Sequence, residues 1–157
     1  MIIAGCSHAR PPARPVVAAA PPPPPPPPKL VVLLAESDRF PELARATTET
    51  LLAARVAGLA TAKESKVSLE VVQLSIECVE PTAKCYAAVG KSLSANKLLL
   101  GHIAPVGKRR RDKSVRVTIT LFDVDEKTLK TKAERVFANE TEAAAGLADL
   151  VAEATKP

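Results

Sequence analysis

Cys78 and Cys85 stand with six residues between them. Two cysteines at that spacing can close a disulfide, remain thiols, or share a metal with a third ligand. In an exported chain the disulfide is the favoured reading. Closing so small a loop stabilises by about 2.5 kcal/mol on the chain-entropy model. His102 would have to be the third ligand or a catalytic base. No CxxC spacing supports a metal site, and His102 is placed on a different element. A Cys–His nucleophile needs an orienting acid, and none stands at a readable spacing. His102 follows Gly101 in an apolar run and reads as a structural or edge histidine. His8 carries no signal.

The other chemistry-bearing segment is Lys108-Arg109-Arg110-Arg111-Asp112-Lys113, which sums to +4. It falls between two strand-like runs, so it reads first as a hairpin tip kept soluble by charge. Its second reading is an anion clamp for phosphates, carboxylates or an acidic partner. Single-stranded nucleic acid calls for stacking aromatics. Phe40, Tyr86, Phe122 and Phe137 are the only four in the chain, and all are expected in the core. The six glycines form no phosphate-cradling spacing, and GxxxxGK[ST], HExxH and GxSxG are absent from the sequence. The carboxylates are scattered. The expectation is therefore a protein that is not an enzyme, with no cofactor and no metal.

The elements that must carry these residues come from composition and periodicity. Of fifteen prolines, eleven lie in the first 28 residues, eight of them as the run Pro21 to Pro28. Residues 1–29 thus read as a disordered Pro-rich linker, and 30–157 as one domain large enough for a real core. The proline run should form a polyproline II rod of roughly 25 Å. The net charge is +5, but the tail holds three basic residues and no acid. The domain has nineteen basic residues against seventeen acidic ones, so its charge is concentrated in the 108–113 loop. No apolar run in the domain is long enough to span a membrane.

Within the domain, Lys29 to Leu34 reads as a buried strand. Ser37 or Asp38 can cap a helix with Pro41 in its first turn, an apolar face through Leu43, Thr47 and Leu51, and Gly58 as its stop. A short edge strand is expected at Leu59 to Lys63. Ser68 opens a helix to about Glu77, with a strand as the alternative, and Pro81 opens another carrying Tyr86, Val89 and Leu93. Lys97 to Ile103 is a buried strand. Val115 to Leu121 alternates as a half-exposed antiparallel strand, and Leu129 to Phe137 is its hairpin partner. Asn139 and Glu142 form a capping box for a last helix bearing Leu147, Leu150, Val151 and Ala154. The result is an α/β (α+β) fold in the order β-α-(β)-α-α-β-β-β-α. A mixed sheet of four or five strands ends in an antiparallel meander, packed by about four helices.

Two resemblances extend this reading. Ile3-Ala4-Gly5-Cys6 resembles the bacterial lipobox, in which the cysteine is acylated. That implies a lipid anchor on Cys6, with a signal-peptide remnant ahead of it whose basic and apolar parts would lie upstream. Ser7 after the cysteine implies the outer membrane. Ala88 to Gly101, with Ser94-Ala95-Asn96 entering an apolar strand, and Leu121-Phe122-Asp123-Val124-Asp125 resemble bacterial envelope α/β domains of the TolB amino-terminal and curli-secretion lipoprotein types. Ser94 and Asn96 stand where those families carry Gly and Asp. The resemblance implies a non-enzymatic periplasmic module that docks protein partners or oligomerises, and it brings no catalytic residue with it. The first expectation is thus a lipid-anchored, periplasm-facing protein-binding or assembly domain. The alternative is a soluble anion- or nucleic-acid-binding domain led by Lys108, Arg109, Arg110, Arg111 and Lys113.

Overall fold

The computed structural model describes residues 28–57, 59, 62–78, 80–107 and 112–156. Five strands and four helices follow one another as β1 (Leu30–Leu34), α1 (Pro41–Ala53), β2 (Lys63–Ser68), α2 (Leu69–Ser75), α3 (Ala83–Ser92), β3 (Lys97–Pro105), β4 (Val115–Asp123), β5 (Thr128–Phe137) and α4 (Glu140–Ala154). They build one mixed sheet in the order β2-β1-β3-β4-β5. β1 runs parallel to both β2 and β3, while β3, β4 and β5 form an antiparallel meander. The expected element order and fold class hold.

The three layers follow from the period of two along each strand. Leu30 and Val32 of β1 join Leu99, Ile103, Val117 and Ile119 under α1 and α4. Val31 and Leu33 point the other way and join Leu98, Leu100 and Phe122 with Val72 of α2 and Val89 of α3. β1 is apolar throughout because both of its faces are covered. β2 is an edge strand, and its exposed Lys63, Glu64 and Lys66 discourage further pairing.

Several local expectations shift. The edge strand lies at Lys63–Ser68, later than Leu59 to Lys63. Its sequence is polar, since only Ser65 and Ser68 are fully covered, so an apolar run is the wrong cue there. α1 starts at Pro41 with Phe40 at the cap position and no side-chain cap. Ser37, three residues before the cap position, accepts with its Oγ the N–H of Phe40 itself (3.2 Å) and not one from the helix's first turn. The orphan Leu43 N–H donates instead to Glu140 Oε1 at 3.1 Å, across 97 residues of sequence. α1 ends at Ala53, before the expected stop at Gly58, which lies outside the described residues. Ser68 does cap α2, but that helix ends at Ser75, and Glu77 beyond it is left-handed (φ 55°). Its helical form settles the strand alternative. Thr82, just after Pro81, caps α3. β4 is almost wholly buried and not half-exposed: Thr118 and Thr120 are only 8% and 6% exposed, leaving Arg116 outside. β4 lies between β3 and β5, and long side chains such as Glu134, which accepts from Thr118 Oγ1 at 3.1 Å, close over it.

Asn139 caps α4 as expected, while the returning bond from Glu142 goes to the residue before the cap. Glu142 N donates to Asn139 Oδ1 (2.9 Å), and Glu142 Oε2 reaches back to the Ala138 N–H (3.0 Å). α3 ends in a Schellman arrangement. Ala95 N donates to Gly90 O at 2.9 Å, Ser94 N donates to Lys91 O at 3.0 Å, and Ser94 itself takes φ 52°. That conformation costs a side-chain-bearing residue about 1–2 kcal/mol.

Two substitutions test this packing in opposite directions. Ser94→Gly removes the left-handed penalty, less the extra freedom glycine gives the unfolded chain. A gain of about 0.5–1 kcal/mol is expected in urea unfolding. A Cβ on Gly101 would stand 2.6 Å from Thr47 Cγ2. Thr47 is fully buried, and its hydroxyl is bonded to Leu43 O at 2.7 Å, so it has no room to yield. Gly101→Ala should lose about 1–3 kcal/mol in the same measurement.

Candidate functional site

Parallel pairing of β1 with β3 gives the domain two poles. The pole at the start of β1 receives the chain directly after the proline run. There Lys29 N donates to Asn96 Oδ1 (2.9 Å), and Lys29 O accepts from the Asn96 and Lys97 N–H groups (3.0 and 3.1 Å). Asn96 Nδ2 donates to Asp125 Oδ2 at 2.9 Å, and Asn96 O accepts the Val124 N–H at 2.8 Å. One asparagine thereby ties the entry of β1, the entry of β3 and the β4–β5 turn.

Asp123 completes this clamp. Its Oδ1 accepts the Asp125 and Glu126 N–H groups at 3.1 and 2.9 Å, and its Oδ2 accepts Lys97 Nζ at 2.5 Å. The residue is 4% exposed. Burial pushes its carboxyl pKa up. The Glu126 N–H and the Lys97 ammonium outweigh that and hold it below the ordinary aspartate value.

The opposite pole gathers the carboxyl ends of β1 and β3. This is where open α/β sheets commonly bind ligands, beside the strand at which the chain reverses direction across the sheet. Here the chain's own Arg39 occupies that position. Its Nη1 donates to Gly107 O at 3.3 Å, its Nη2 donates to Asp112 O, and its guanidinium carbon lies 5.6 Å from the Phe40 ring centroid. Arg39 therefore pins both sides of the β3–β4 hairpin to the segment that leads into α1. Beside it, Phe40, Lys113, Asn139, Glu140, Thr141 and Glu142 line an open cleft of about 800 Å³. Lys113 faces two carboxylates there, so the rim is of mixed charge.

The residues singled out from the sequence fall in separate places. Lys113 is exposed just ahead of β4. Lys108, Arg109, Arg110 and Arg111 lie outside the described residues, as do Cys6 and the 1–27 segment that carries it. Cys78 and Cys85 are joined, with Cα atoms 5.7 Å apart, at the junction of α2 and α3. His102 is exposed on β3 and stands opposite Thr118 in the ladder. The cysteines are spent on each other, and the exposed His102 has no cysteine beside it to serve as base or third ligand. Among the described residues no three His, Cys, Asp or Glu side chains gather as a metal site, and no helix is long and apolar enough to cross a membrane.

Sequence reading found the Ser94-Ala95-Asn96 and Leu121 to Asp125 segments but not what they do together. The available signal was an Asn and an Asp-rich turn at matched ends of neighbouring strands. Because the folded pKa of Asp123 is depressed, its contribution is present above the unfolded value near 3.8 and is lost as pH falls through the folded value. Asp123→Asn should lose about 1–3 kcal/mol at neutral pH. Its stability should also fall less steeply below pH 4 than that of the wild type in chemical unfolding across pH 2–6.

No family model and no curated protein matches the chain. Solved structures similar to it include the C-terminal domain of LpoB from Salmonella enterica, at 13% identity and a TM-score of 0.44, over 72% of this chain and 84% of that one. The same domain from Escherichia coli is 14% identical with a TM-score of 0.40, over 72% and 84%. The PelC dodecamer from Paraburkholderia phytofirmans is 16% identical with a TM-score of 0.47, over 82% and 88%. These likenesses are to the fold and do not single out the TolB type.

Proposed function

We propose that this chain is a lipid-anchored, non-enzymatic binding module of the bacterial envelope, held at the periplasmic face of the outer membrane by an acylated Cys6. The observation that carries this reading is the order and polarity of the parts. Cys6 sits in a lipobox-like setting, eight prolines follow, and the chain enters the domain at Lys29, where Asn96 grips it. β3 then spans nine residues, roughly 30 Å, to the opposite pole. A domain anchored at its Lys29 end presents the Arg39-pinned hairpin and the neighbouring cleft away from the membrane. That pole is the docking surface for an envelope protein, and it offers charged groups of both signs around Phe40.

The anchor is tested by fractionation. With an export leader supplied ahead of Met1, the wild type should partition with membranes and Cys6→Ala with the soluble pool. Two acyl chains are needed for such retention, since each buried methylene adds about 0.8 kcal/mol. Identical soluble behaviour of both proteins would end the lipoprotein reading and leave the soluble anion-binding alternative.

The basic loop is tested separately. Changing Arg109, Arg110 and Arg111 to Ser should alter stability by no more than about 0.5 kcal/mol per site if the loop is a hairpin tip. If the loop clamps an anion, the same change abolishes binding of the wild type to acidic partners or polyanions. That binding should weaken with salt, because exposed charges are screened beyond about 8 Å at physiological ionic strength. A large loss of stability would place the loop inside the packing and refute the tip.

A further inference from the structure

α2 is held more thinly than any other helix of the domain. It has seven residues, and a helix that short has no stability of its own in water. Only Val72 is fully buried, with Leu69 and Ile76 packed in part, while Val71 and Leu74 are 50% and 70% exposed. Its cap bond, from Val71 N to Ser68 Oγ, is long at 3.4 Å. Its exit passes through Glu77 in the left-handed region, which side-chain-bearing residues disfavour.

α3 is held quite differently. Thr82 Oγ1 accepts the Cys85 N–H, and Cys85, Ala87, Val89 and Gly90 are all buried. Gly90 lies so close to Val124 that no Cβ would fit. The bond from Cys78 to Cys85 joins these unequal partners. Cys78 lies three residues past the end of α2, and Cys85 lies in the first turn of α3. From within α2, Gln73 Nε2 adds a contact to Cys85 Sγ at 3.4 Å.

We infer that the Cys78–Cys85 bond is a redox latch on α2. With the bond closed, α2 docks against the sheet. With it open, α2 leaves while α3 and the sheet stay folded, uncovering the apolar positions Val31 and Leu33 that share a cluster with Val72. The opening reagent is a small dithiol. Cys78 is half-buried and Cys85 only 3% exposed, so the attacking thiolate reaches Cys78 Sγ. The S–S bond breaks, a mixed disulfide forms on Cys78, and the Cys85 thiolate leaves and takes a proton from water. The second thiolate of the reagent then displaces Cys78. The protein gains two electrons and two protons, and the reagent becomes a cyclic disulfide. Closure by a disulfide oxidant reverses each step. The latch does not depend on the proposed lipid anchor or docking pole.

Hydrogen exchange on the whole chain tests it, in the oxidised form, in dithiothreitol, and in the Cys78→Ser, Cys85→Ser double variant. Thiol counting on denatured, unreduced protein must first find Cys78 and Cys85 blocked, with Cys6 as the one free thiol, and three free thiols there would end the proposal. On reduction, amides of residues 71–76 should exchange on the order of tenfold faster or more, while those of β3 and β4 stay within about twofold. The double variant should match the reduced form. Unchanged protection of α2, or protection retained in the variant, would make the bond passive. Equal acceleration throughout β3 and β4 would make it a general staple. Either result overturns the latch.

Discussion

The Asp123 carboxylate is the constraint on which the arrangement of the sheet depends. A buried carboxylate is costly unless its lone pairs are filled. Here two backbone N–H groups and the Lys97 ammonium fill them, and all three come from the entry of β3 or from the turn just beyond Asp123. The same turn returns Val124 N–H and Asp125 to Asn96, which in turn holds Lys29. The antiparallel register of β3 with β4 places Lys97 opposite Asp123. The parallel register of β1 with β3 begins at Leu30 opposite Lys97. A slip of β3 against β4 by one residue would separate Lys97 from Asp123, a slip of β1 against β3 would break the Lys29–Asn96 bonds, and either would turn the apolar side chains of the slipped strand to the other face. The clamp therefore selects register, beyond any contribution to net stability.

What was legible in the sequence was local. Asn139 and Glu142 are three residues apart, so the cap could be read directly, although the return bond from Glu142 reaches Ala138 and not Asn139. Leu147, Leu150, Val151 and Ala154 lie on one stripe and are all buried. The cysteine pair was readable because six intervening residues can bring two adjoining helix ends together. What escaped was set by distant neighbours. Glu140 caps α1 from another helix, in place of Ser37 or Asp38 nearby. β4 alternates in sequence like a half-exposed strand, yet Thr118 and Thr120 are covered because β4 lies inside the sheet. β2 is too polar to announce itself, since an edge strand is placed by its ladder to β1. The candidate site was the least legible part. Arg39 drew no notice in the sequence, and its role exists only once the hairpin folds back to it.

The polarity of the fold has electrostatic consequences. α1 begins after β1 and α4 after β5, so both present their N–H-rich ends at the hairpin pole, joined there by Glu140. Helix N-termini favour negative charge, and Glu42, Glu140 and Glu142 in the first turns supply it. Glu140 and Glu142 also offset the field of Lys113 across the cleft. The described part of this pole is consequently a surface of mixed charge. A uniform polyanion would meet Glu140 and Glu142 as soon as it reached Lys113. Docking by complementary pairs around Phe40 can use the whole described pole, and the proposal of a protein partner rests on that difference.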